Sequence, residues 1–252
     1  MPEPGAGAGS DRIENGLDGE AYGEDFFDPT RYGGRFTQYW WARRFYARLI
    51  ARHAKPGGKV LEIGCGLGHV LARLEDRFET YGIDVSPFAI GQAAENAART
   101  DLRVATVEQI AFLPGPFDVI AAFHVVEHLS DPAQAFEVCS SMTRPGGHLI
   151  VATPNTKAPF AERKGPRWYA NTDPTHISLK PPEEWLELAR QAGYTVIKKF
   201  GDGLWDVPYL PLVPAKLQLA LFGLPGIVQV VTGIPFIPPR LGESLIFVAR
   251  RV

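Results

Sequence analysis

An α/β domain built on a mostly parallel sheet, with helices on both faces, is the fold class this sequence predicts, and three observations predict it. From Lys59 onward, apolar runs of strand length alternate with segments of helical periodicity, which implies right-handed crossovers between parallel strands. A glycine-rich turn, VLEIGCGLGH over residues 60–69, follows the first run, at the strand end where open α/β sheets hold their ligands. The chain of 252 residues is long enough to bury one good core, and it fits one large domain with insertions better than two independent ones.

The elements follow in order. Residues 1–20, rich in Gly, Ala, Pro and acidic side chains, lack the basic start and apolar core of a signal peptide and are expected to be a disordered tail. The stretch RFTQYWWARRFYARLIARHA, residues 35–54, sets aromatic and aliphatic residues among arginines at helical spacing, which predicts an amphipathic helix ended by KPGG. Then come a strand at KVLEI, a helix near HVLARLEDRF, a strand at ETYGID and a helix from Ser86. Strands at LRVATV and FDVIAAF, a helix through AQAFEVCSSM and a strand at HLIVAT continue the alternation. Ser86 caps its helix and Pro87 takes the first helical position, where no amide donor is needed. In LKPPEEWLELARQAGY, Pro181 and Pro182 precede first-turn acids and Gly193 fits the left-handed stop. The strands YTVIKKF and SLIFVARRV close a domain over 55–252, with insertions at 156–180 and 203–243.

The 26 basic and 28 acidic side chains nearly cancel. That balance lacks the electrostatic footprint of a nucleic-acid binder and predicts small or weakly charged partners. Two cysteines, Cys65 in the glycine loop and Cys139 in a predicted helix, make no disulfide framework. They suit a reducing compartment, so the cytoplasm is the expected location.

A loop that binds a dinucleotide pyrophosphate spaces its glycines GxGxxG. Here Gly64, Gly66 and Gly68 read GxGxG, and Glu62 stands two residues before the first of them. No Lys or Arg lies between Val60 and Ala72, so a pyrophosphate would meet an uncompensated carboxylate. That disfavours a dinucleotide oxidoreductase. Asp84 comes 20 positions after Gly64, where a carboxylate accepts both hydroxyls of a ribose. A nucleoside with a ribose, no phosphate and positive charge suits both acids, and S-adenosylmethionine, with its sulfonium and ammonium, is such a nucleoside.

Five motifs in order, VLEIGCGLG, YGIDVS, VEQIAFLPGPFDVI, AFHVVEHLSDP and RPGGHLIVATPN, resemble those of the class I S-adenosylmethionine-dependent methyltransferases, particularly the group that includes ubiquinone-type O-methyltransferases. The resemblance spans about residues 59–200. It implies a Rossmann-like seven-stranded sheet, mostly parallel, whose last strand runs antiparallel, with the apolar insertion ahead of that strand. It also implies S-adenosylmethionine as the cofactor, with Glu62, Gly64, Cys65, Gly66 and Gly68 around the methionine portion. Asp84 would take the ribose hydroxyls, Val85 would lie beside the adenine, and Phe123 and His124 would lie near the sulfonium. The adenine edge falls to Thr106, Val107 and Glu108. Thr106 stands where the family commonly has an acid, so the amino-group contact passes to its hydroxyl, to Glu108 or to backbone. Residues 21–54, with Tyr22, Tyr32, Trp40 and Trp41, would cover the cofactor edge, as amino-terminal segments do in related enzymes; ordinary core packing of a helix is the alternative.

The implied activity is methyl transfer to an oxygen of a small-molecule or carrier-, lipid- or sugar-linked acceptor. Nitrogen or carbon acceptors on the same fold, and a regulatory protein that binds the cofactor without catalysis, are the alternatives. A hydroxyl acceptor needs a base. The stretch RWYANTDPTHISLK follows the fifth strand at the carboxyl edge of the sheet and joins aromatic residues to Asp173 and His176. An imidazole with a pKa of about 6.5 can take a hydroxyl proton at neutral pH, so His176 is the candidate general base, with Asp173 to fix its tautomer. The competing role for His176 is to pin the loop through a backbone hydrogen bond. His128 is a further candidate, weighed mainly as a structural hydrogen bond. His53, His69 and His148 are read as structural, and Cys65 is not expected to act as a nucleophile. No metal is expected, because no compact Asp/Asn/Glu cluster follows the fourth strand.

From Leu217 to Pro239 no residue is charged, a length that approaches the roughly 20 apolar residues of a membrane span. Gly223, Pro225, Gly226, Gly233 and Pro235 interrupt it, so a transmembrane helix is not expected. Residues 207–239 are expected to form a lid or wall for an apolar pocket. A homodimer contact and reversible docking on a membrane surface are the other two fates that such an apolar segment allows.

Overall fold

The apolar runs become strands β1 (Lys59–Ile63), β2 (Glu79–Asp84), β3 (Asp101–Val104), β4 (Phe117–Phe123), β5 (Thr143–Pro154), β6 (Tyr194–Gly201) and β7 (Ser244–Arg251). They form one seven-stranded sheet in the order β3-β2-β1-β4-β5-β7-β6. The computed structural model describes residues 22–27 and 38–252; the expected tail over 1–20 and Tyr32 lie outside the described residues. Strands β1 to β5 pair in parallel, and β7 runs antiparallel to both of its neighbours, β5 and β6. The Rossmann-like fold expected from the motifs is the fold observed.

Seven α-helices are described: α1 (Gln38–Ala51), α2 (Pro87–Asn96), α3 (Pro132–Met142), α4 (Ala161–Lys164), α5 (Pro182–Gln191), α6 (Ala215–Phe222) and α7 (Leu224–Thr232). Alternation along β4 shows how the layers form. Ile120 and Ala122 pack with Phe136 of α3 and Trp185 of α5, while Val119 and Ala121 pack with Phe45, Leu49 and Ile50 of α1. A strand covered on both faces reads as an unbroken apolar run, and each large side chain buried there stabilises the fold by roughly 1.5–3 kcal/mol. The cap predicted for α2 forms: Ser86 Oγ accepts the Ala89 amide at 3.1 Å, with Pro87 in the first turn.

Two predicted elements are corrected: the strand read at LRVATV ends at Val104, with Thr106 and Val107 opening a 3₁₀ turn, and the helix after the glycine loop does not form. Where HVLARLEDRF reads as a helix, the chain makes a chain of turns with only a 3₁₀ segment, Leu71–Arg73. The Ala72 amide donates four residues back, to Gly68, but those of Arg73 and Leu74 donate three back, to Val70 and Leu71. This tighter winding puts Leu71 and Leu74, both buried, on one side, and no α-helix N-terminus follows the glycine loop.

Strand order reverses between β1 and β4, whose connections leave the sheet in opposite directions. That switch opens a crevice at the carboxyl ends of the strands. Both insertions rise at this edge: residues 155–181 after β5, with α4, and residues 202–243 after β6, with α6 and α7.

Candidate active site

The site begins with the turn after β1. Gly64 takes φ +64°, and a Cβ there would run into Val125. Only glycine therefore lets this turn pass beneath the segment after β4. Asp84, at the end of β2, locks the turn: its Oδ2 accepts the Gly66 amide and its Oδ1 the Ser86 amide, both at 2.9 Å.

A cavity of about 670 Å³ opens over this edge, a volume suited to a small-molecule ligand. Glu62, Gly64, Cys65 and Gly66 border it from β1 and its turn, Asp84 and Val85 from the end of β2, and Thr106 and Val107 from the segment after β3. Phe123 and His124 enter from β4, and His128, Asp173 and His176 line it as well. Two predicted residues do not line it. Gly68 serves packing: at φ +73°, a Cβ would lie 2.9 Å from that of Ala93 on α2. Glu108 follows Val107, which is buried in the 3₁₀ turn that Thr106 opens, and its charge acts on Cys139 of α3.

The fixed charges around the cavity are unbalanced. Glu62, Asp84, Asp173 and Asp202 face it, against Arg43 as the one Lys or Arg among the described residues of its wall. Burial, and then the charge of Asp84, push the Glu62 carboxyl well above the usual carboxylate range, while Arg43 opposes the shift. Glu62 Oε2 is buried without a hydrogen-bond partner. A cationic, phosphate-free nucleoside fits this wall: its positive charge would meet a carboxyl group with one unshared oxygen, and among the described residues no cluster of cations is there to receive a pyrophosphate.

The far wall is imidazole-rich. His124 stands at φ +57°, a conformation that costs a side chain roughly 1–3 kcal/mol and clusters at functional sites. Its Nδ1 lies 3.3 Å from Oε1 of the fully buried Glu127. Burial works against its charge, but Glu127 and Asp202 outweigh burial and raise the His124 pKa. Burial likewise opposes the charge of Glu127, and His124 and His128 reverse the balance to hold its pKa low. His128 is lowered, chiefly by burial, and its Nδ1 lies 3.1 Å from the Thr175 carbonyl, the structural bond weighed for it.

His176 places Nδ1 2.6 Å from the carbonyl oxygen of Ala170. A carbonyl only accepts, so Nδ1 carries a proton, and in the neutral ring the lone pair lies on Nε2. This corrects the part given to Asp173: backbone fixes the tautomer, and Asp173 Oδ2 lies 3.9 Å from Nε2, on the proton-receiving side. Asp173 is itself held by the amide and hydroxyl of Thr175. The pinning bond and the nitrogen that faces Asp173 belong to one ring. His128 and His176 stand 4.7 Å apart between ring centroids, and together with Glu127 they offer ligand atoms all within 4.8 Å of one another. That set is capable of holding a cation, and the sequence reading overlooked it because His176 arrives from a different loop.

Sequence reasoning also missed Arg43, Tyr169, Asp202 and Trp205, all on the cavity wall. Asp202 was legible in principle, as the first residue after a strand at the carboxyl edge. Its oxygens accept the Ser244 amide and the Trp205 indole, each at 2.7 Å. Arg43 carried no signal to separate it from the other arginines of α1.

The sequence pattern of the methyltransferase domain family matches residues 37–199. The ubiquinone biosynthesis O-methyltransferase of Xanthomonas campestris pv. campestris is 38% identical over 122 residues, covering 45% of this chain and 50% of its own length. The enzyme of the same name from Caulobacter sp. strain K31 is 41% identical over 137 residues, 51% of this chain and 53% of its own. The chain thus spans about half the length of the curated relatives it matches. In structure, a TehB-like SAM-dependent methyltransferase from Corynebacterium glutamicum superposes with a TM-score of 0.57 at 18% identity, covering 93% of this chain and 98% of that one. At that identity the likeness is one of fold.

Proposed function

The chain belongs to the methyltransferase domain family, and from that footing we propose that it moves a methyl group from S-adenosylmethionine to an oxygen of a small or carrier-linked acceptor. One observation carries this reading: a single cavity joins Glu62, whose Oε2 is buried without a partner, to His176, whose Nε2 faces Asp173. Bound there, S-adenosylmethionine supplies an electrophilic methyl group on a sulfonium. The chain supplies the rest. Glu62 would meet the ammonium, and Asp84, at the end of β2, would accept from the ribose. His176 Nε2 takes the acceptor's proton. Asp173 then faces the imidazolium; burial opposes its charge, but the Thr175 bonds and the two imidazoles hold its pKa below the usual carboxylate range. The stacked rings of Tyr46 and Phe123, 4.0 Å apart, stiffen the wall that aligns the reactants.

Calorimetry with S-adenosylhomocysteine and with NADH tests the cofactor, and heat from NADH alone would overturn it. Methyl release over a panel of hydroxylated acceptors tests the base. His176→Gln should lower turnover about 100-fold while leaving S-adenosylhomocysteine affinity intact, and equal turnover removes His176 from the reaction.

A second reading has one observation in its favour: Glu127 Oε2 is buried without a hydrogen-bond partner beside His128 and His176, while Oε1 faces His124. A divalent cation held by these three side chains would orient an acceptor oxygen. Turnover lost in chelator and restored by a divalent metal would select this reading over a metal-free base.

A further inference from the structure

Helices α6 and α7 are built inside out. A helix on a water-facing surface turns its polar side chains outward, yet the buried residue of α6 is Gln218 and the buried residue of α7 is Gln229. Gln218 Oε1 accepts the amides of Tyr209 and Leu210, and its Nε2 donates to the carbonyls of Leu210 and Val213. Gln229 accepts from the amides of Phe236 and Ile237 and donates to the Gly201 carbonyl. Both amides are thus consumed by the domain's own backbone. The outward face is left to Leu217, Leu221, Leu224 and Val228, which are 52, 63, 56 and 42% exposed among the described residues, and Ile234 and Phe236 extend it. An apolar surface of this kind calls for a partner.

Charge and length identify the partner. Between Asp206 and Glu243 the only charged side chains are Lys216 and Arg240, both positive and both exposed, and no acid accompanies them. A second copy docked on this segment would bring the same two cations and no acid of the segment to pair them, whereas an anionic lipid surface complements them. At 8 and 9 residues, α6 and α7 are each far too short to cross a bilayer. They are also fastened to the domain: Gln229 bonds to the end of β6, and Arg48 and Arg52 donate to the Val231 and Gly233 carbonyls, capping α7 from α1. The pair is therefore suited to lie in a membrane interface with its backbone satisfied.

We propose that the outer face of α6 and α7 is a monotopic docking surface for an anionic lipid bilayer. Leu219, Ile227 and Val230 of the same helices line the cavity, and Leu219 and Ile227 are also partly open to the outside, so docking sets this wall of the cavity against the bilayer. The proposal goes beyond methyl transfer and does not depend on it.

Flotation of the full chain with phosphatidylcholine vesicles, with and without phosphatidylglycerol, tests it. The chain should float with the mixed vesicles, and Leu221→Asp combined with Leu224→Asp should cut that binding more than about tenfold with an unchanged melting temperature. Lys216→Glu combined with Arg240→Glu should weaken binding to mixed vesicles by about tenfold and leave pure phosphatidylcholine unaffected. No flotation with either vesicle, or equal flotation of the leucine variant, overturns the proposal. So does a dimer that the leucine variant splits in sedimentation while vesicles capture neither form, which would give the face to a second copy.

Discussion

Glu62 sits one residue before the end of β1, buried, with one carboxylate oxygen unshared. Because burial and Asp84 raise its pKa, a cationic ligand must first draw it into its ionised form, and higher pH favours that form. Affinity for S-adenosylhomocysteine should therefore tighten as pH rises. Glu62→Gln should flatten this dependence and weaken binding about 10- to 100-fold, the worth of a charged hydrogen bond; titration calorimetry at several pH values checks both. His148 supplies a stability effect of opposite origin. Burial, with the nearby His53, lowers it to about 4, against about 6.5 in an unfolded chain. Between those values the unfolded chain binds more protons, so stability is lost as pH falls through that window. His69, also lowered to about 4 by burial and neighbouring arginines, adds to the slope. Denaturant melts at pH 7 and pH 5 should show a smaller loss for His148→Gln than for the wild type. None of these shifts was legible in the sequence, since each depends on what surrounds a side chain rather than on what adjoins it.

Secondary-structure elements were the most legible level, and the reason is periodicity. KVLEI, ETYGID and FDVIAAF became β1, β2 and β4 with the expected bounds, most plainly at FDVIAAF, because a strand buried on both faces has to be apolar at nearly every position. HVLARLEDRF misled for a related reason: apolar residues three apart satisfy both an α-helix and a 3₁₀ turn, and only the packing of Leu71 and Leu74 decides. Capping was local enough to read. Ser86→Ala should cost about 1 kcal/mol in urea denaturation through the lost cap of α2. Ser86 Oγ also donates to the Tyr22 carbonyl at 2.6 Å, so the same variant should loosen the described amino-terminal segment, visible as faster amide exchange over residues 22–27. At Gly68 an alanine would meet Ala93 and adopt a left-handed φ, so Gly68→Ala should lower stability by roughly 1–3 kcal/mol while leaving the cavity wall chemically unchanged.

Across the whole molecule, the two insertions are tied to each other at Glu243, which is fully buried just before β7. Its carboxylate accepts the Trp168 indole, from the insertion after β5, at 2.9 Å, and the Tyr209 hydroxyl, from the insertion after β6. Asn155 adds bonds to the carbonyls of Pro239 and Gly242, both at 2.9 Å. Glu243→Ala leaves two buried donors without an acceptor, at roughly 1–3 kcal/mol each. Trypsin should then cut after Lys216 and Arg240 well before the sheet unfolds. Equal protection of the variant and the wild type would show that the insertions are held by packing alone.

The sequence by itself determined the order of strands and helices, the glycine turn, and the two acids Glu62 and Asp84 that choose a phosphate-free nucleoside, because each is written in residues close together along the chain. Tertiary structure alone decided which distant side chains meet. Glu127 and His128 come after β4 and Asp173 and His176 after β5, and a shared sheet edge is what places them around one cavity. It also decided which way the apolar insertion faces. Leucines and glutamines have the same composition whether a helix is turned outward or inward, and only the domain's unpaired backbone groups, by claiming Gln218 and Gln229, turned the apolar side of α6 and α7 to the outside.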